Sequence, residues 1–161
     1  MALFGTTRPQ ATPSTTTGST DALFITAFTA RKMKLNEFSI IGNGATSAAA
    51  AFLEYGIRTA TGAAGAAGTA ITPTKLEQDS AASACFTNHT VTTDATAGVS
   101  AFVVGCNLYG GIYRWTARPN GEVVCRAIAG TAAGAAGSIC CRQTTALTSG
   151  TYTFHTVWDE L

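Results

Sequence analysis

The stretch that decides the fold is TYTFHTVW, Thr151 to Trp158, close to the end of the chain. Successive side chains of an extended strand point to opposite sides of its sheet, so this stretch has two distinct faces. The two faces are Tyr152, Phe154, Thr156 and Trp158 on one side, and Thr151, Thr153, His155 and Val157 on the other. Because large apolar rings lie on one face, the pattern predicts a strand inserted in a sheet, with His155 on its polar face.

The rest of the chain predicts further strands that are separated by turn signals. Phe52 to Thr61 alternates in the same way, and Lys32 to Ile41 runs into the turn signal Gly42-Asn43-Gly44. The turn Arg118-Pro119-Asn120-Gly121 has the pattern of a type I turn and predicts a hairpin between the strands that flank it. The remaining predicted strands are Ala22 to Ala30, Thr90 to Thr93, Val99 to Leu108, Ile112 to Ala117, Glu122 to Ile128 and Ser138 to Thr145.

Only one helix is predicted. Thr74 and Glu77 have the spacing of a capping box and follow Pro73, which predicts a short helix over about Lys75 to Ala84. Many short strands separated by turn signals predict an all-β, single-domain β-sandwich with a jelly roll as the favoured arrangement. The repeated hexapeptide AAGAAG, at Ala63 to Gly68 and Ala132 to Gly137, predicts two loops.

The chain divides into two parts by composition. Residues 1–20 are rich in Thr and Pro and show no apolar period, which predicts a flexible or extended N-terminal arm. Residues 21–161 form the predicted β-sandwich domain, and 161 residues fit one domain. The start of the chain does not read as a signal peptide, and no apolar run reaches the ~18 residues of a membrane span.

The composition is poor in chemically active groups. Charged residues make up 12% of the chain and the formal net charge is +1, which disfavours a charge-driven nucleic-acid partner. His89 lies four residues after Cys85, but nothing completes a zinc site. Asp159 and Glu160 are neighbours whose side chains diverge on a strand, so they do not form a pair of catalytic carboxylates. We therefore expect no enzyme activity, no catalytic residue, no metal site and no cofactor.

The five cysteines are expected to be free thiols, because their number is odd and no secretion signal is seen. Cys106 and Cys125 lie in apolar, strand-like contexts and are expected in the core as small hydrophobes. Cys140 and Cys141 are adjacent, so we expect them on opposite faces of one strand. Tyr113 is likewise assigned to the core.

One segment resembles a known family. The stretch Arg114 to Glu122, RWTARPNGE, resembles the R-[AY]-x-[RW]-W-x-A-x-P-G-x-E stretch of small head proteins of tailed bacteriophages, often encoded beside the major capsid protein. Two further stretches agree with it, Arg58 to Leu76 and the closing Tyr152 to Glu160, so the resemblance covers roughly residues 50–161. The five cysteines and the Thr-rich first 20 residues depart from the family pattern.

The resemblance implies a capsid decoration or cement protein. Such a protein is a jelly-roll-like sandwich that binds the major capsid protein over capsomer junctions of the assembled shell, stabilises the shell and forms a homotrimer. It would be made in the host cytoplasm and lie on the capsid surface of the virion, with no nucleic-acid or membrane partner. Because an arm can order on binding, we expect the capsid contacts in residues 1–20. The candidate contact residues are Leu3, Phe4, Arg8, Pro9 and Pro13.

Two other classes of function stay open from the sequence. The first is another virion subunit of a tail, fibre or collar, or a small jelly-roll coat protein, since the same composition serves all of these. The second is a host-surface module that binds glycans through exposed aromatic residues, for which Tyr109 and Tyr113 are the candidates.

Overall fold

The structure is a computed structural model that describes residues 2–11, 21–26, 32–44, 52–61, 69–79, 81–83, 85–89, 96–126, 137–144 and 150–161. Pro13 and all of Ala63 to Gly68 lie outside the described residues, as does the second AAGAAG repeat before Gly137. Over the described residues the elements are strands and turns. The strands are β1 Ala2–Ala11, β2 Asp21–Thr26, β3 Lys32–Gly42, β4 Phe52–Thr61, β5 Thr69–Ile71, β6 Thr74–Lys75, β7 Phe86–His89, β8 Thr96–Asn107, β9 Ile112–Thr116, β10 Val123–Arg126, β11 Gly137–Gln143 and β12 Tyr152–Glu160.

The strands form two antiparallel sheets. In the first sheet the order is β10-β3-β12-β1-β6, and β9 pairs with β3 along the same edge as β10. In the second sheet the order is β5-β7-β2-β11-β4-β8. The closing strand β12 lies between β3 and β1, which confirms the expectation from TYTFHTVW of a strand inserted in a sheet.

The order of pairing identifies a jelly roll. The first half of the chain pairs with the second half in reverse, β1 with β12, β2 with β11, β3 with β9 and β10, and β4 with β8. Two further pairs, β12 with β3 and β11 with β4, connect these strand pairs into two sheets. The main strands therefore run β1-β12-β3-β9/β10 in one sheet and β2-β11-β4-β8 in the other, the order of a jelly-roll sandwich, as the strand pattern predicts.

The core lies between the two sheets. Side chains from the first sheet, among them Phe38 and Phe154, form one buried cluster with Val104 and Ile139 from the second. Across the sandwich the rings of Phe102 and Trp115 have centroids 4.7 Å apart. On β12 the buried side chains alternate with half-buried ones from the first residue to the last, as the period-two pattern predicts.

The first part of the expected arm is a strand inside the sandwich. β1 pairs with β12 from Ala2 opposite Glu160 to Ala11 opposite Tyr152, and it also pairs with β6. The reason is burial, since Phe4 is 1% exposed and stacks on Trp158 with ring centroids 6.2 Å apart. Moving a large aromatic ring from water into the core is favourable, so the burial of Phe4 stabilises β1 in this position. Residues 12–20 lie outside the described residues.

The prediction of a helix over about Lys75 to Ala84 is wrong for the residues of this segment that the structure describes. Thr74 and Lys75 form β6 and bends or turns follow, because the backbone of this segment is bonded to β1. Thr74 pairs with Gly5, and the Leu76 N–H donates to the Leu3 carbonyl at 2.9 Å. These long-range bonds satisfy the groups that a first helical turn would leave to a capping side chain, so tertiary pairing overrides the local signal.

The turn at Arg118 to Gly121 differs in type and role from the expectation. The Gly121 N–H donates to the Arg118 carbonyl at 2.8 Å, but Asn120 has a φ of 63°, which fits the third position of a type II turn. The turn does not join a β9–β10 hairpin. Both strands instead pair with β3, β9 opposite its second half and β10 opposite its first half, so they follow one another along one edge.

The predicted turn signal at Gly42 does end β3, and it does so against the β8–β9 connection. The Gly42 N–H donates to the Gly111 carbonyl at 2.9 Å, and the Gly44 N–H donates to the Leu108 carbonyl at 2.7 Å. A Cβ at Gly42 would come within 2.7 Å of the Leu108 Cα, so only glycine allows this close approach.

Candidate functional site

Of the expected contact residues, Leu3, Phe4 and Arg8 have described side chains, and these three do not form one exposed surface. Phe4 belongs to the core and is not available to a partner, so its assignment as a contact residue is wrong. Leu3 and Arg8 are half-buried in β1, opposite Asp159 and Phe154 of β12. Pro9 lies in β1 where the register with β12 shifts, a place where a residue without an N–H is tolerated.

The outward side of the first sheet carries two ion pairs. Arg114 on β9 donates two hydrogen bonds to the Glu37 carboxylate on β3, at 2.9 and 2.8 Å. Lys34 lies 3.8 Å from Glu122. The hydrogen bonds to Glu37 raise the pKa of Arg114. The pKa of Glu122 is lowered, first by hydrogen bonding from its own backbone and further by Lys34.

Further hydrogen bonds between side chains complete this side of the first sheet. The Asn36 side-chain amide donates to the Asp159 carboxylate at 2.9 Å, and Thr7 is hydrogen-bonded to the His155 Nδ1 at 3.0 Å. His155 therefore lies on the polar face of β12, as predicted. Such a surface favours partners that offer hydrogen bonds over partners of one strong charge.

Asp159 and Glu160 diverge as predicted, and Glu160 points into the molecule. It is 3% exposed and accepts hydrogen bonds from the Trp158 indole at 3.2 Å and from the Ser83 hydroxyl. The Cys85 backbone N–H donates to the same hydroxyl at 3.1 Å. The burial of Glu160 could have been predicted from the alternation along β12, because Glu160 follows Trp158 by two positions and so shares its buried face. These bonds tie the segment before β7 to the end of β12.

The Cys85 thiol lies beside this buried carboxylate. Its Sγ is 3.9 Å from the Met33 Sδ, and the side chain is 5% exposed. Burial first, and then the neighbouring Glu160 carboxylate, raise the pKa of the Cys85 thiol far above its ordinary value. A thiol held protonated in this way is a poor nucleophile and a poor metal ligand.

The other cysteines follow the sequence expectations. All five cysteines are buried and none forms a disulfide, and Cys106 and Cys125 belong to the core as predicted. Cys141 joins the core cluster whereas Cys140 is buried outside it, in agreement with opposite faces of β11. Burial raises the pKa of Cys106 as well.

The described residues contain no cluster of potential metal ligands. No group of three or more His, Cys, Asp or Glu side chains in this part of the chain could hold a metal ion. Cys85 precedes β7 and His89 ends it, so the two positions are not on one helix face. Of the segments that the structure describes, none is a helix both long and apolar enough to cross a membrane.

Four large exposed apolar side chains lie on the strands and the turn that end the two sheets, namely Val103 on β8, Tyr109 in the β8–β9 turn, Ile112 on β9 and Val124 on β10. They do not form one surface. Ile112 pairs with Ile41 and Val124 with Lys34, far apart along β3, and Val103 faces outward from the second sheet. Tyr109 and Ile112 are three positions apart where β9 begins, and they are 53% and 72% exposed. We call these two residues the edge patch and take it as the candidate contact surface.

Which apolar residues are exposed could not be recognised in the sequence. Val103 and Val104 are adjacent and chemically identical, yet Val104 is 1% exposed and Val103 is 54% exposed. Which of the two valines is buried depends on which face of β8 is turned towards the first sheet. Tyr113 packs against the core as predicted, so of the two aromatic residues considered for glycans only Tyr109 is exposed.

Comparison with known proteins adds little. No protein-family model and no curated protein matches this chain. Among solved structures, one that is similar is a capsid chain of equine rhinitis A virus, a picornavirus, from a massively expanded particle. The match covers 98% of this chain and 66% of that one, at 10% identity and a TM-score of 0.31. At that TM-score it supports no conclusion about function.

Proposed function

We propose that the protein is a structural subunit of a virus particle, and specifically a decoration or cement protein of a bacteriophage head. In this role it binds the major capsid protein on the surface of the assembled shell and stabilises the shell as a homotrimer. A fold alone does not assign a function. The proposal therefore depends on where the stretches that resemble phage head proteins lie in the fold.

The observation that carries the proposal is that two of these three stretches contribute to the first sheet. Trp115 packs on the core, Arg114 pairs with Glu37 of β3, and Glu122, just after the turn, pairs with Lys34 of β3. The closing stretch forms β12 on the other side of β3. These two stretches thus supply β9 and β12 of the jelly roll, which supports a shared architecture with those head proteins.

The surface of the sandwich supports a protein partner. Two ion pairs on the first sheet form within the chain, and the edge patch offers exposed apolar side chains for burial. We assign the shell contact to the edge patch in place of Leu3, Phe4, Arg8 and Pro9, because these residues belong to β1, an inner strand. A subunit that binds only the assembled shell stabilises it by mass action, and the effect is repeated over many copies.

The test is binding to undecorated shells of the source phage, measured by co-sedimentation and by the temperature at which the shells disrupt. We expect saturable binding and a raised disruption temperature for the unaltered protein. Ile112→Asp should weaken binding about tenfold or more, since it places a charge in the apolar contact. Leu76→Asp is the matched control, because Leu76 is also about half exposed but lies beside β6 at the other edge of the first sheet.

The outcomes separate the parts of the proposal. If the unaltered protein does not sediment with shells, the decoration function is wrong. If both variants bind like the unaltered protein, the assignment of the edge patch is wrong while the function stands. Light scattering of the purified protein tests the trimer, for which the expected mass is three chains.

A further inference from the structure

The two turn signals that end in Asn-Gly contain a dipeptide prone to spontaneous chemical change. Of the asparagines in the chain, only Asn43 and Asn120 are followed by glycine, Gly44 and Gly121. A glycine nitrogen has no side chain beside it, so it approaches the side-chain carbonyl carbon of the preceding asparagine with the least hindrance. The reaction needs that nitrogen and the side-chain amide to be free to meet. The fold therefore decides which of the two pairs reacts.

The Asn43-Gly44 pair is held at both reacting groups. The Asn43 side-chain amide donates to the Thr153 hydroxyl at 2.9 Å, and the Gly44 N–H donates to the Leu108 carbonyl at 2.7 Å. Thr151 accepts from the Asn43 N–H at 2.9 Å and donates to the Gly44 carbonyl at 3.1 Å. Leu108 is fully buried, so these bonds open together only if the end of β3 leaves both the start of β12 and the β8–β9 connection.

The Asn120-Gly121 pair is held only by its own turn. Both residues are exposed, and no hydrogen bond holds the Asn120 side-chain amide within the described part of the chain. The Gly121 N–H donates to the Arg118 carbonyl at 2.8 Å, a bond inside the turn. Asn120 has a φ of 63°, in the left-handed region where a side chain is strained. β9 and β10 pair with β3 independently on the two sides of the turn, so this bond can open while both strand pairings remain.

We infer that Asn120 is a site of spontaneous deamidation in the folded protein, and that the fold protects Asn43 from the same reaction. The Gly121 nitrogen loses its proton and forms a bond to the side-chain carbonyl carbon of Asn120. The bond from that carbon to the side-chain nitrogen breaks, and this nitrogen leaves with the proton as ammonia. The product is a cyclic imide. Solvent water adds its hydroxyl to either ring carbonyl and returns a proton to the ring nitrogen, which leaves aspartate or isoaspartate in place of Asn120.

This change alters the charge of the turn before β10. A neutral amide becomes a carboxylate, so the formal net charge of +1 falls by one. The new carboxylate lies two positions before Glu122, which pairs with Lys34 at 3.8 Å, and it competes with Glu122 for this lysine. Isoaspartate also lengthens the main chain by one carbon atom. The reaction depends only on the chain and solvent, so it takes place whatever the partner of the protein is.

The test is prolonged incubation of the purified, full-length protein at mildly alkaline pH in water enriched in heavy oxygen, followed by peptide mapping with mass spectrometry. Solvent oxygen enters the product, so the label marks only deamidation that occurs during incubation. In the folded protein the peptide with Asn120 should gain the label at least about tenfold faster than the peptide with Asn43. In concentrated urea both sites are free, and the two rates should become similar.

Gly121→Ala is the matched variant, because a Cβ beside the attacking nitrogen hinders ring closure. The added Cβ would lie 3.3 Å from the Arg118 carbonyl oxygen in an exposed turn, so a small shift accommodates it and an unchanged unfolding temperature is expected. Labelling at Asn120 should slow by about tenfold or more in this variant, while labelling at Asn43 stays the same.

Three results overturn the inference. Asn120 that stays unlabelled in the folded protein, while the chain in urea is labelled, shows that the turn protects it. Equal labelling of Asn43 and Asn120 in the folded protein shows that the bonds around Asn43 do not select the site. A rate at Asn120 that is unchanged by Gly121→Ala shows that the reaction does not pass through the Gly121 nitrogen. The first two results come from the unaltered protein and need no variant.

Discussion

Replacing Phe4 by alanine tests whether the beginning of the chain is part of the sandwich. The ring is 1% exposed and stacks on Trp158, itself fully buried. Removing a buried phenylalanine costs about 3–5 kcal/mol, because transfer free energy is lost and a cavity is left. A domain of this size has about 5–15 kcal/mol of stability in total, so the variant should unfold far more easily. The expected fall in unfolding temperature is about 6–20 °C.

The assay is urea unfolding followed by circular dichroism, with the free energy of unfolding taken from the midpoint and slope. Leu3→Ala is the matched control, since Leu3 is the preceding residue, lies on the opposite face and is only half-buried. It should cost about 1 kcal/mol. A flexible arm would make both substitutions neutral. If Phe4→Ala costs no more than Leu3→Ala, the placement of β1 as an inner strand is refuted.

Three further predictions concern the packing and ionisation of the core. Gly42→Ala should lower the free energy of unfolding in urea by about 2–3 kcal/mol, because the added Cβ would meet the backbone of Leu108. Gly5→Ala is the control, since its Cβ would make only ordinary contacts, and it should cost less than about 0.5 kcal/mol. Equal effects of the two substitutions would contradict the close approach at Gly42. Thr156→Val should stabilise by about 1 kcal/mol, because the buried Thr156 hydroxyl has no hydrogen-bond partner, and any loss of stability would count against this assignment. The pKa of Cys85 is raised in the folded protein, so above about pH 8.5 the unfolded chain releases this proton more readily and the free energy of unfolding should fall as pH rises. Cys85→Ala should reduce that slope in unfolding titrations at several pH values, and an unchanged slope would show that Cys85 is not its source.

Local alternation was a reliable guide where both faces of a strand differ in chemistry. β12 was predicted correctly, including the outward His155 and the divergence of Asp159 from Glu160, because period-two burial follows from strand geometry alone. The core positions of Cys106 and Cys125 were predicted from the same reasoning. The end of β3 at Gly42 followed from turn chemistry.

The wrong predictions share one cause, which is a long-range contact that competes with a local signal. The capping box at Thr74 predicted a helix, but β1 binds this backbone as a strand. Ala2–Ala11 lacks a clear apolar period, yet Phe4 and the pairing with β12 place it inside a sheet. The turn at Asn120 predicted a hairpin, but both flanking strands find their partner in β3.

The sequence by itself determined the class of the protein: all-β, a single sandwich, with thiols in the core and few charges. These properties depend on composition and on neighbours one or two residues apart, which a sequence displays directly. Only the tertiary structure decided that Phe4 is buried and that Val103 is exposed beside a buried Val104. The physical reason is that pairing and burial depend on strands far apart in the chain, and which face or edge remains free is settled only when the two sheets come together.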